Sequence, residues 1–321
     1  MARYHVAPLQ TTEEPMEVGF FFWPYEPPLA LRMAELADRY GYAMIGIADT
    51  PGNAMDPWVA ATLVAQATRH ARVALCVTNI ESRHPAVAAA AIASLDLIAP
   101  GRTVLGIGAG HSGTHNLGLR RSPVGDVAEA VGFIKTLLRG EPAVCRGGGE
   151  AHLPWVRRPS KVFLAASGPR TLAAAGAVAD GAFVNFGLTR ENLAQSEGTV
   201  AQGAASAGRG SAAVEIWQIA ALDCNADGDA ARRKIGAILA FMAAGYTWDR
   251  AISAGAGCRR RCTRQSARCG SATAPGRARP MRRSSPSLAC SITSPNGLPC
   301  AVRPINAAHS CCGRGPRASN A

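Results

Sequence analysis

Short runs that are apolar at nearly every position alternate along the chain with longer runs whose apolar residues recur every three or four positions. The short runs are residues 17–24 (EVGFFFWP), 44–50 (MIGIADT), 72–79 (RVALCVTN), 103–110 (TVLGIGAG), 161–168 (KVFLAASG), 181–187 (GAFVNFG) and 214–225 (VEIWQIAALDCN). Their apolar residues do not alternate with polar ones, so they read as strands buried on both faces, as in a parallel sheet. The long runs, such as PLALRMAELADRYG, HPAVAAAAIASLDLIAP and VAEAVGFIKTLLRG, read as helices, and several open on Asp, Thr or Pro and close on Gly, as capping prefers. Seven βα units in succession favour a TIM-type (β/α)8 barrel over an open sheet and place an eighth strand after Tyr246.

No such strand follows. From Ala251 onward the sequence has no sustained period, and only SLACSIT resembles a short strand. Composition sharpens the break. Twelve of the 34 basic residues lie after position 250, leaving 22 against all 22 acidic ones, so the net charge of +12 belongs to the C-terminal stretch and the body is neutral. That stretch also holds seven of the ten cysteines and no Phe, Tyr or Trp, a composition that builds no core. The expected organisation is an N-terminal extension over 1–16, a barrel over 17–250 with seven recognisable strands and therefore incomplete, and an aberrant, disordered tail over 251–321. The tail looks like GC-rich coding sequence read out of frame, as a frameshift near residues 250–258 would produce; translation of the other two frames tests this.

Cys76, Cys145 and Cys224 are far apart and lack ligand spacing, and no His, Cys and carboxylate set has metal spacing, so no metal is expected. The N-terminus has no apolar run of signal-peptide length and no segment is long and apolar enough to span a bilayer, which together predict a cytoplasmic protein without membrane attachment. The arginine-rich tail has no aromatics for base stacking and no nucleic-acid motif, so no specific nucleic-acid partner is expected.

In a barrel, functional groups sit at the C-terminal ends of the strands. The strand exits here carry Trp23 and Tyr25, Asp49 and Thr50, Thr78 and Asn79, His111 and Ser112, Ser167 and Arg170, Asn185, and Asp223 with Cys224. Asp49, ending a buried strand, needs either a partner or solvent in the barrel mouth. Gly108, Gly110 and Gly113 mimic a dinucleotide fingerprint, but no helix is expected after them and no acid follows about 20 residues on; close packing or approach of a planar ring is the reading adopted. In ASGPRTLAAAG a strand ends at Ser167 and a helix begins at once, which suits either a phosphate or an ordinary cap. Arg83 and His84 read as a helix cap with Arg83 paired to Glu81. No G-x-S-x-G elbow is present.

The runs VTNIESRHPAVAAAAIASLDLIAPGRTVLGIGAG, FLAASGPRTLAAAGAVADGAFVN and ALDCNADGDAARRKIGAILAF resemble the luciferase-like monooxygenase superfamily, within it the coenzyme F420-dependent branch typified by 5,10-methylenetetrahydromethanopterin reductase. The resemblance spans roughly 17–248. It implies a barrel of the bacterial luciferase-like kind that binds the deazaflavin in its mouth, with a bulge bearing a non-prolyl cis peptide at Val77, Thr78 and Asn79. It further implies ring or backbone contacts at Gly108 and Gly110, and phosphate-end contacts at Ser167, Gly168, Arg170 and Thr171 beside Gly176 and Ala177. Hydride transfer to or from a small organic molecule follows, with Asp49 as the acid/base and Trp23, Tyr25, Thr50 and His111 toward the substrate. Many relatives carry Asp–His where this chain has Asp49–Thr50, which removes any role of that imidazole. Two alternatives stay open: an FMN-dependent monooxygenase on the same fold, and an inactive chain whose barrel does not close. A homodimer through barrel helices is also implied.

Overall fold

The computed structural model describes residues 16–245 and 289–292. Seven parallel strands appear where the apolar runs predict them: β1 (Val18–Phe22), β2 (Met44–Ile47), β3 (Arg72–Asn79), β4 (Thr103–Gly108), β7 (Lys161–Ala166), β8 (Gly181–Val184) and β9 (Glu215–Ala221). A two-residue hairpin, β5 (Ala143–Val144) with β6 (Glu150–Ala151), interrupts the series after α5. The helices are α1 (Pro27–Tyr40), α2 (Pro57–Ala67), α3 (Pro85–Ile98), α4 (Ser112–Asn116), α5 (Val124–Leu138), α6 (Pro169–Val178), α7 (Arg190–Ser206) and α8 (Gly228–Gly245).

The strands pair in the order β1-β2-β3-β4-β7-β8-β9, all parallel. The place of the eighth strand is taken by β10 (Ala289–Ile292), which runs antiparallel to both β1 and β9 and closes the ring. It comes from SLACSIT, and the chain therefore closes its barrel by backbone pairing that needs no side-chain pattern. The proposed frameshift point and the rest of the tail lie outside the described residues.

Two apolar layers result. One lies between strands and helices and contains Ile45, Ile47, Leu75, Leu105, Ile107 and Leu164. The other fills the barrel interior with Met44, Cys76, Val104, Phe163, Phe183 and Trp217. Large inner rings fit because other strands supply glycine: a Cβ on Gly106 of β4 would lie 2.8 Å from the Phe183 ring of β8 and 2.3 Å from the Leu75 carbonyl oxygen. At the N-terminal end of the barrel, Glu215 ion-pairs with Arg72 at 2.7 Å and Lys161 at 2.8 Å and accepts the Trp217 indole N–H. These charges stitch β3, β7 and β9 together and leave the opposite end free for chemistry.

Helix starts follow the sequence signals. Asp56 caps α2 by accepting from the N–H groups of Trp58 and Val59, Thr189 caps α7, and the His84 ring nitrogen accepts from the Ala86 N–H to cap α3. Arg83, expected to pair with Glu81, instead reaches Asp56 at 3.3 Å and stacks over Trp58, while Glu81 accepts from the Ser122 hydroxyl.

Candidate active site

At the C-terminal end of the barrel lies a cavity of about 190 Å³. β1 and its exit contribute Phe21 and Trp23, β3 contributes Cys76 and Val77, and β7 and its exit contribute Ala165, Ala166 and Ser167. Phe183 and Asn185 follow from β8, Ile219, Ala220 and Ala221 from β9, and Ile238 from α8. The wall is mainly apolar, and its four alanines keep it open as a slot between larger side chains. Burial pushes the Cys76 thiol up to about 12, so it stays protonated and packs as an apolar group.

The slot owes its shape to an irregularity in β3. Pairing with β4 is regular to Leu75↔Leu105 and resumes as Thr78↔Ile107, so one extra residue is accommodated between. The peptide bond Cys76–Val77 inside this bulge is cis. With the register shifted at this bulge, Cys76 and Val77 both line the cavity, where a regular strand would have turned one of them away. Gly108 makes room for the bulge: a Cβ there would sit 2.9 Å from Val77 Cγ2 and 3.4 Å from Ala165 Cβ. Gly110 turns the chain after β4 with φ +85°, and Gly113 lets α4 approach the Asp49 carbonyl. The helix absent from the sequence expectation is this α4, only five residues long.

Beside the slot, the Thr78 hydroxyl donates to Asp49 Oδ2 at 2.6 Å. Burial raises the Asp49 carboxyl above its ordinary value; Thr78 pulls the other way, Asp56 adds to the rise and Arg83 opposes it. Thr50 is buried, its hydroxyl 3.4 Å from that of Ser112. His111, half-buried at the start of α4, is held below the usual histidine range by burial and then by Arg121 and His115, which keeps it a neutral imidazole near pH 7. Asn79 turns away to accept from the Glu81 and Ser82 N–H groups, so its side chain organises the β3 exit.

On the opposite side, Thr171 Oγ1 accepts from the N–H groups of Ser167 and Gly168 and donates to the Gly168 carbonyl. With Pro169 lacking an N–H, the start of α6 presents the N–H groups of Arg170 and Thr171, which have no intrahelical acceptor. The Arg170 side chain is exposed. Gly176 lies two turns further along α6, where a Cβ would be 2.0 Å from the Val200 carbonyl oxygen of α7. Its role there is helix packing, and its neighbour Ala177 is half-buried on the same helix. Tyr25 is 57% exposed beyond the rim, whereas Trp23 forms part of the wall.

The structure therefore brings Trp23, Val77 and Ser167 to one cavity, joins Thr78 to Asp49 beside it, and sets Gly108 behind it. Phe21, Cys76, Phe183, Ile219 and Ile238 were not anticipated. The period of β1 links Phe21 to Trp23, but Ile238 carries no signal because only the docking of α8 brings it to the mouth. Among the described residues no group of three His, Cys, Asp or Glu side chains could hold a metal ion, and no helix is long and apolar enough to cross a membrane.

Residues 8–284 match the model of the luciferase-like monooxygenase family. The 5,10-methylenetetrahydromethanopterin reductase of Methanolobus tindarius is 31% identical over 238 residues, 72% of this chain and 72% of that protein. Among solved structures, the coenzyme F420-dependent tetrahydromethanopterin reductase from Methanopyrus kandleri superposes with a TM-score of 0.70 at 22% identity, covering 81% of each chain. A type II Baeyer-Villiger monooxygenase of Pseudomonas putida, in complex with FMN, gives 0.53 at 20% identity over 63% of this chain and 67% of that one. These structural likenesses carry the fold.

Proposed function

This chain belongs to the luciferase-like monooxygenase family, and from that premise we propose that it is an oxidoreductase transferring a hydride between coenzyme F420 and a small organic substrate. The observation that carries the reading is the apolar slot built by the β3 bulge at the barrel mouth, with the half-buried Asp49 carboxyl bonded to the residue next to its wall. A planar ring suits that slot: Val77 offers a flat apolar face, Gly108 leaves it space, and Ala165 and Ala166 keep the facing wall shallow. The start of α6, with two N–H groups and Arg170 nearby, suits an anionic group on the same ligand. When bound, F420 supplies a ring carbon that takes or gives a hydride.

The residues of the chain then divide the remaining work. Val77, Gly108 and Ser167 hold the ring, with Gly110, Gly168, Arg170 and Thr171 shaping the loops around it. Asp49, whose proton is held more tightly than usual, exchanges a proton with the substrate as general acid or base. Trp23 in the slot wall, and Thr50 and His111 at the exits of β2 and β4, are the residues assigned to the substrate.

The relative in complex with FMN favours one second reading, a flavin-dependent monooxygenase. Titration of the purified chain with oxidised F420 and, in parallel, FMN separates the two. Saturable binding of F420 in preference to FMN is expected; preference for FMN replaces the reductase by the oxygenase, and binding of neither ring overturns both. We also propose that two copies of the chain pair through α2 and α3, which expose Val59, Val87, Leu97 and Ile98. Sedimentation should give the mass of a dimer, and a monomer at assay concentration would refute this.

A further inference from the structure

We propose that Thr78 is the positioning residue of the site, its hydroxyl fixing the Asp49 carboxyl at a set place beside the ring seat formed by Val77. The inference rests on the reading of Asp49 as the acid or base. Thr78 is fully buried and lies directly after Val77 in the bulge. It donates to Asp49 Oδ2 at 2.6 Å, and among the described residues this is the only hydrogen bond the Asp49 side chain makes. A hydroxyl has one proton. Thr78 therefore spends it on the carboxylate, and its part is to hold Asp49 while the ring contact falls to Val77.

The register explains why these two roles meet in one segment. Without the extra residue, Thr78 would pair with Gly108; with it, Thr78 pairs with Ile107 and Val77 joins Cys76 at the slot. One backbone irregularity thus aims adjacent residues at two tasks, Val77 at the slot and Thr78 at the end of β2. Gly108 secures the arrangement from behind, since a Cβ there would press on Val77 Cγ2 at 2.9 Å and come within 3.9 Å of the Thr78 carbonyl oxygen. The slot residue Val77 and the donor to Asp49 are thus covalent neighbours, so the acid is tied to the slot wall through one hydrogen bond.

The charged groups bearing on Asp49 are Asp56 at the start of α2 and Arg83 from the β3–α3 loop, themselves paired at 3.3 Å. Neither bonds to it. A valine at 78 removes the one donor that favours the ionised carboxylate while keeping the side-chain shape. Serine keeps the donor.

The test is a carbon-13 titration of the aspartate carboxyls in the full chain, with the Asp49 signal identified by its loss in Asp49→Asn. Thr78→Val should move the Asp49 titration to higher pH, and Thr78→Ser should hold it at the wild-type position. An Asp49 titration that does not move in Thr78→Val, or that moves equally in both variants, overturns the proposal. Binding of oxidised F420 to the wild-type chain is measured on the same samples. Absence of that binding would sink the cofactor reading, whereas the titration alone decides the positioning role.

Discussion

Asp49 illustrates what a single residue's surroundings contribute. Its folded-state proton affinity is raised, chiefly by burial. A carboxyl of that kind contributes stability at low pH and loses it as pH rises through its folded value, because the folded chain must then hold a half-buried charge. Asp49→Asn removes this dependence and keeps an oxygen for Thr78 to donate to. Melting curves from about pH 3 to about pH 7 should therefore show the variant gaining on wild type as pH rises. A variant that loses ground at neutral pH would mean that the ionised carboxylate stabilises the fold. At this scale the sequence located Asp49, Thr78 and Asn79 at strand exits but could not apportion their duties. Hydrogen-bond direction depends on where β2 and β3 end relative to each other, and the bulge that sets this leaves no mark on composition. Asn79 bonding back to Glu81 and Ser82 is the local Asx chemistry that such a residue before a loop favours.

Among elements, length governs how much was legible. The seven parallel strands and seven longer helices carry enough periods to be read from apolar spacing alone, whereas α4 spans five residues and β5 and β6 two each, too short for any period to emerge. The join at the N-terminal ends of β3, β7 and β9 was also invisible, since it depends on three residues far apart in sequence. Burial would raise Glu215, but Arg72, Lys161 and the Trp217 indole outweigh it and hold the carboxyl down to about 2. A depressed carboxyl contributes stability above its unfolded value and loses it as pH falls through the folded one. Glu215→Gln should accordingly lower stability near pH 7 by on the order of 2 kcal/mol, because it takes the shared anion from Lys161 and leaves the largely buried Arg72 only its longer pair with Glu17. The deficit should shrink as the pH approaches about 2, where wild-type Glu215 itself takes up a proton. A deficit independent of pH in thermal or denaturant melts would mean that packing around Trp217, not charge, joins these strands.

For the molecule as a whole, the decisive question is what closes the sheet. The apolar pattern supplies seven strands and then stops, so the sequence foretold open edges at β1 and β9. In the structure both edges are paired by Ala289–Ile292, in registers Val18↔Ile292 and Ala289↔Ala221. Main-chain pairing asks only for an extended segment of the right length, which is why a stretch with so little apolar pattern can serve. It also runs antiparallel, opposite to every other strand of the barrel. If this pairing protects the sheet, a chain ending at Gly245 should expose two unpaired parallel edges and self-associate through them. Light scattering after size exclusion should then show the truncated chain as large aggregates, or as a species that melts well below the full chain. F420 affinity should fall with it, since β1 and β9 supply Phe21, Trp23, Ala220 and Ala221 to the slot walls. A truncated chain of the same association state and melting temperature as the full one, with undiminished affinity for F420, would show that the seven parallel strands hold the site unaided.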